Sequence, residues 1–329
     1  MRNKEAAESA LEAERQRTEE VETELQEKSL EALDLQKRWK QAARELNTIR
    51  SQDQGFYTVT DDHLIKLAGG LRFSIQNFSI QYFEGTTSEC ESSGEVSETE
   101  YFANIIESMK TFWVDVFSEE RHSTIQAFLW RVLVDKVFDN FRWLGEISHQ
   151  MRAVHEMLRP KWQRDASYSE HRDCDAERKF QVWRASTSVL LIDSVLSSTE
   201  NGEVTDELLT ELHRFLQPLS TAHDTHGFDQ ELQHIYDDAI NLDKEICRQV
   251  ARIEWQFPCN EQVLDFDPQC MVLQKGQEQL PTAEEVRLVI APRMVKRGKS
   301  TGQGFETENQ LLPMEVSLQP SPDQGYLRD

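Results

Sequence analysis

The chain has 329 residues, with 36 Lys and Arg against 59 Asp and Glu, a formal net charge of −23. A balance this acidic repels phosphate backbones and anionic lipid headgroups, so no nucleic-acid partner and no membrane surface is expected. No stretch reaches the roughly 18 apolar residues of a membrane span, residues 1–20 are charged rather than those of a secretion signal, and the five cysteines form no Cys-x-x-Cys pair, which predicts a cytoplasmic or nuclear protein with reduced thiols.

Residues 1–50 contain neither Pro nor Gly and are dominated by good helix formers, which predicts one long helix. A heptad frame places Leu11, Leu25, Trp39 and Leu46 at a and Val21, Leu35 and Ile49 at d, and ten of its fourteen a and d positions are apolar. A 3.5-residue period held over about seven heptads describes a coiled-coil seam. The flanking pairs Arg17 with Glu22 and Glu45 with Arg50 permit a parallel homodimer through residues 1–50. The heptads run up to Met1, which predicts that the chain starts inside a longer coiled coil.

Residues 51–83 read as a connector and an amphipathic helix. Thr60-Asp61-Asp62 supply its cap, and Leu64, Leu67, Leu71, Ile75, Phe78 and Tyr82 its apolar stripe. Gly69-Gly70 weakens it by about 1 kcal/mol per Gly relative to Ala and predicts a kink or a close helix approach. Residues 84–100 then hold six Glu, seven Ser or Thr and no base, the composition of a disordered acidic linker. Ser88, Ser92 and Ser97 are each followed three residues later by Glu. That spacing suits acidophilic kinases, and each phosphate would add about −1.5 to −2 charge.

Residues 101–257 form a predicted helical domain. One helix is expected from Tyr101 through Phe117, a longer one from Ile125 to Leu158 ended by Pro160, and three more over Glu177–Leu196, Asp206–Leu216 and Gln230–Trp255. The aromatic residues concentrate between Phe102 and Trp183, which predicts the core there. Residues 258–329 carry two short β-like runs, Val286–Ile290 and Leu311–Val316, around a Gly-rich stretch, and then a disordered tail. A small hairpin is expected, with Pro313 confining its strand to an edge. The predicted fold is mainly α: a long N-terminal coiled-coil helix, then a helical domain with a small C-terminal β-hairpin.

Motifs that carry chemistry are sparse. Gly298-Lys299-Ser300-Thr301 imitates the end of a phosphate-binding loop, but the position that needs the first Gly is Arg293. A basic hairpin loop is the expectation instead. Arg293, Lys296, Arg297 and Lys299 lie in an acid-free stretch, which predicts internal ion pairs, a partner-binding patch or a nuclear-import patch. Arg297-x-x-Ser300 adds Ser300 as a candidate site for a basophilic kinase. His223-x-x-His226 matches no established metal pair, and the neighbours His171 and Cys174 are not brought together by a fold. Trp113, Trp130, Trp143, Trp162 and Trp183 are expected in the core rather than in a ligand pocket. No catalytic, cofactor-binding or metal-ligating residue is assigned, and no cofactor is expected.

Trp39-Lys-Gln-Ala-Ala-Arg-Glu-Leu46, Gln54-Gly-Phe-Tyr57, Leu71-Arg-Phe-Ser-Ile-Gln-Asn-Phe-Ser-Ile-Gln-Tyr-Phe83, Ile290-Ala-Pro-Arg-Met-Val-Lys-Arg-Gly-Lys-Ser-Thr-Gly302 and Leu312-Pro-Met-Glu-Val316 together give a chain that resembles a family of uncharacterised coiled-coil proteins of filamentous ascomycete fungi. The resemblance implies a eukaryotic intracellular protein and carries over no functional residue. The expected role is that of an intracellular scaffold or adaptor that oligomerises through its coiled coil and binds a further protein partner. The competing expectations are an enzyme or small-ligand-binding helical domain, and a nuclear regulatory protein.

Overall fold

The computed structural model describes residues 25, 28–29, 31–43, 56–84, 100–109, 121–160, 174–197, 207–221, 225–258, 264–274 and 285–318. The chain divides into two units, Met1–Gly55 and Phe56–Asp329. In the first, residues 31–43 are helical, and the exposed pairs Lys28–Glu31 (3.0 Å) and Arg38–Asp34 (2.8 Å) run along one turn each. Leu35 and Trp39 belong to this helical part, and Leu25 is helical as well. The other seam residues, Leu11, Val21, Leu46 and Ile49, lie outside the described residues, as does most of the acidic linker with Ser88, Ser92 and Ser97.

The second unit is mainly helical with a β region towards its C-terminal end. Helix α1, Asp61–Phe83, starts where expected: the Thr60 side chain accepts from the His63 amide, and Asp61 and Asp62 sit in the positive first turn. Its stripe is buried from Leu64 to Phe83. Gly69 and Gly70 make neither a kink nor a close approach, since α1 is continuous and a Cβ at either would meet nothing within 4 Å.

Helix α2 is Ala103–Ser108, α3 Arg121–Lys136 and α4 Ser148–Leu158. The single helix expected from Ile125 to Leu158 is thus interrupted. Asp139 and Phe141 take left-handed φ angles of 59° and 55°, and a 3-10 segment, Arg142–Ile147, follows. The Asn140 side chain donates to the carbonyls of Asp135 and Phe138, competing with helix continuation. Phe141 is fully buried beside Trp143 and His155, which offsets its unfavourable backbone. Gly145, at φ 59° and ψ −126°, occupies a region that only glycine visits readily.

Helices α5, Cys174–Ser197, α6, Glu207–Leu216, and α7, Thr225–Cys247, complete the layer, with Pro218 in the 3-10 turn after α6. Helix α7 ends eight residues earlier than the periodicity predicts. Arg252–Gln256 is strand β1 instead, paired antiparallel with a basic strand over Arg252↔Arg297 to Gln256↔Arg293. Cross-strand pairing has overridden a threes-and-fours pattern that Ile253 and Trp255 satisfy equally well in a strand.

The C-terminal element is larger than a small hairpin. Strands β2 (Leu264–Asp265), β3 (Met271–Leu273), β4 (Glu285–Ala291), β5 (Arg293–Arg297), β6 (Glu308–Leu312) and β7 (Met314–Leu318) join β1 in two sheets. Their orders are β1-β5-β6 and β2-β4-β7-β3. All pairs are antiparallel except β3 with β7. The predicted hairpin is present as one long bent ribbon. Its strands cross from one sheet to the other at Pro292, between β4 and β5, and at Pro313, between β6 and β7. Pro313 lies in neither strand but between β6, at the edge of its sheet, and β7, inside the other, where the chain leaves one ladder for the next and no N–H is needed. In the connecting loop, Gly298 has φ 79°, and a Cβ there would come within 2.7 Å of the Phe305 ring.

The main core draws on α1, α2, α3, α6, α7, β1, β4 and β5, from Leu64 to Met294, rather than only on residues between Phe102 and Trp183, and two smaller clusters lie at Phe141–Ile192 with Cys247 and at Met271 with Val316. Phe78, Tyr82, Phe83 and Phe228 form one aromatic group, and Phe102, Phe128 and Phe215 a second. Helix α1 joins this core to the ribbon. Arg72 Nη2 donates to the Pro292 carbonyl (2.6 Å) and to the Pro313 carbonyl (2.7 Å), at both bends at once. Burial lowers the pKa of Arg72, and Glu315 on β7 counters that electrostatically.

Two expectations follow for urea unfolding. Gly69→Ala and Gly70→Ala each raise stability by about 1 kcal/mol, because the methyl group has room and the unfolded chain loses freedom. Arg72→Met lowers it by about 2–4 kcal/mol, because two carbonyls at the bends lose a charged donor.

Candidate functional site

Helix α5 is unusual in carrying charged and polar residues on its buried face. Glu177, Gln181, Arg184 and Ser188 are all buried, in line with Phe180 and Ile192. Helix α7 contributes Asp243 and Cys247, one turn apart and both fully buried, α4 contributes His155, and the left-handed turn contributes Asp139. The helical spacing of each segment places these groups on inward faces. Of these, Asp139, His155, Glu177, Gln181 and Arg184 line a cleft together with Arg159, Arg252 and Glu254.

Arg184 organises the cluster. Its Nη2 donates to the carbonyls of Gln249 (3.1 Å) and Ala251 (3.3 Å) and approaches that of Ile246 (3.5 Å), satisfying backbone groups left over where α7 stops. Its Nη1 lies 3.6 Å from Asp139 Oδ1. The Asp139 amide in turn donates to Asp243 Oδ1 (3.0 Å), while the Trp143 indole N–H donates to Asp243 Oδ2 (3.1 Å). On the other side Glu177 accepts from Gln181 (2.8 Å) and pairs with Arg252 (3.5 Å), which also holds Glu254.

Burial raises the pKa of Asp243 to about 7, with the neighbouring Asp139 charge adding to the effect and the Asp139 amide, Trp143 and Arg184 opposing it. Burial likewise raises Cys247, helped by Asp243, so this residue remains a thiol. His155, held between the rings of Phe141 and Phe180, is lowered by burial. About 10 Å³ of the cleft is open to a water-sized sphere, too little for an organic substrate.

Of this cluster only Trp143 stands out in the sequence, and there as a core residue. The available signal was a charged residue at a core position of an apolar stripe: Arg184 four residues after Phe180, and Asp243 beside Leu242 and four after Ala239. The other residues that were singled out fall elsewhere. On β5, Arg293 and Arg297 pair with Glu308 of β6 (3.4 and 2.6 Å), and Lys296 pairs with Asp61 at the start of α1 (2.5 Å). Lys299 is exposed and Ser300 half-buried in the β5–β6 loop, where the Lys299 amide donates to the Gln303 carbonyl (2.7 Å). His226 is exposed and contacts Gln230, and Cys174 Sγ lies 4.0 Å from Glu306. Trp130 and Trp143 are buried and Trp183 packs on the Phe141 group; Trp113 and Trp162 lie outside the described residues. Among the described residues no group of three or more His, Cys, Asp or Glu is placed to hold a metal ion, and no helix is long and apolar enough to cross a membrane.

Because Asp243 keeps its proton in the folded chain up to about pH 7, while an unfolded carboxyl loses it near 3.8, this group removes stability as pH rises between those values. Asp243→Asn removes the titrating proton, at a pH-independent cost because the amide nitrogen can accept from neither the Asp139 nor the Trp143 N–H. The stability of the variant relative to the parent should therefore rise by on the order of 4 kcal/mol between pH 4 and pH 7. Urea titrations across that range measure it, and a difference independent of pH would contradict the buried-carboxyl account.

Comparison with protein-family models, with curated proteins and with solved structures finds no match to this chain.

Proposed function

We propose that this chain is an intracellular adaptor or scaffold that pairs with a second copy of itself through the N-terminal helix and presents the Phe56–Asp329 unit to a protein partner. The observation that carries the reading is the exposure of three seam residues: Leu25, Leu35 and Trp39 are 71%, 63% and 72% exposed. An exposed apolar stripe at heptad spacing is what a partner helix covers. The thiols of Cys174, Cys247 and Cys270 are unpaired, which suits a reducing compartment.

The α4–α5 cleft has room for about one water, and its charges are engaged with one another. An import patch on β5 would need Arg293, Lys296 and Arg297 to leave the carboxylates of Glu308 and Asp61.

Sedimentation equilibrium of the whole chain tests the adaptor reading. The parent should sediment as a dimer, and the double variant Leu35→Glu, Trp39→Glu should dissociate at least ~100-fold more readily, since two large apolar side chains per copy lose their burial. A monomeric parent at micromolar concentration would sink the assignment.

A further inference from the structure

Four buried polar atoms around the α4–α5 cleft have no hydrogen-bond partner within the protein: Asp139 Oδ1, His155 Nδ1, Gln181 Oε1 and Arg184 Nε. His155, Gln181 and Arg184 are each only 2% exposed. Asp139 Oδ1 has the Arg184 charge 3.6 Å away but accepts no hydrogen bond, and leaving four such atoms without hydrogen bonds in one place is costly. Their chemistry is specific. The carboxylate and amide oxygens only accept, the guanidinium Nε–H only donates, and an imidazole Nδ1 does either according to tautomer.

The charges lining the cleft balance, with Arg159, Arg184 and Arg252 against Asp139, Glu177 and Glu254, so the site calls for a neutral occupant. Burial keeps His155 neutral as well. The room, about 10 Å³ for a water-sized sphere, is that of a single water. A water has two protons to give and two lone pairs to receive with, which matches two acceptors, one donor and one group of either kind.

We infer that the cleft binds one ordered water, which donates to Asp139 Oδ1 and Gln181 Oε1 and accepts from Arg184 Nε–H and from a proton on His155 Nδ1. This water fixes the His155 tautomer, since a bare Nδ1 would present three acceptors to two protons. It joins three elements that direct contacts link only in part: α4 through His155, the 137–141 turn through Asp139, and α5 through Gln181 and Arg184. The inference is independent of the adaptor reading and concerns how the helical unit closes.

Two measurements on the whole chain test it. A crystal structure at about 1.8 Å should show one solvent peak within about 3.2 Å of all four atoms. Direct protein contacts to these atoms, or no peak, would overturn the proposal. Spectra of histidine-¹⁵N-labelled protein, with the signals of His155 identified by their loss in His155→Phe, should place the ring proton on Nδ1 and show magnetisation transfer from that proton to water. A proton on Nε2 with bare Nδ1, or no transfer to water, would equally refute it.

Discussion

A single guanidinium, that of Arg72, sits at the junction on which the rest of the Phe56–Asp329 unit depends. The ribbon formed by β4, β5, β6 and β7 bends twice, at Pro292 and Pro313, and each bend leaves a carbonyl outside both ladders. Arg72 reaches both carbonyls from the buried side of α1. Helix α1 also packs against α7 and α3, and α3 against β4. The position of the helical layer over the two sheets therefore follows from one charged side chain and the apolar stripe around it. Hydrogen bonding gives direction where apolar burial gives only proximity.

The same device recurs at the far side of the helical layer. Arg184 gathers carbonyls from the chain that follows α7, and so makes the turn from helix into β1 a fixed feature. Both arginines satisfy backbone acceptors that secondary structure leaves unpaired, and each has a carboxylate nearby, Glu315 in one case and Asp139 in the other. Buried charges of this kind are tolerated because several hydrogen bonds replace the lost water. In the second case the arrangement also confines Asp243, a carboxyl with its pKa near neutrality, and leaves Cys247 an unreactive thiol.

The basic stretch that stands out in so acidic a chain has a local explanation. Lys296 lies against Asp61 in the first turn of α1, and Arg293 and Arg297 lie against Glu308 across the ribbon. These cations therefore link β5 to α1 and to β6. In the Met1–Gly55 unit, by contrast, the apolar side chains of Leu25, Leu33, Leu35 and Trp39 are exposed.

Periodicity alone determined the helical class, the start of α1 at its Thr60 cap, and the existence of α5, α6 and α7, because a one-sided apolar stripe and a capping side chain are local properties. The break of the 125–158 helix was not legible, since the left-handed turn at Asp139 and Phe141 is held by Asp243, about a hundred residues away, and by rings from α4 and α5. Nor was the end of α7, because Ile253 and Trp255 fit either period and only pairing with β5 decides between them. The hairpin was legible in its two apolar runs and its Gly-rich loop, whereas its bend and its extension into two sheets depend on partners from β1, β2, β3 and α1. The buried polar cluster was hidden for the same reason. A sequence shows that Arg184 and Asp243 interrupt apolar faces, but whether a charge in such a place is solvated, paired or buried is settled only when the other elements arrive around it.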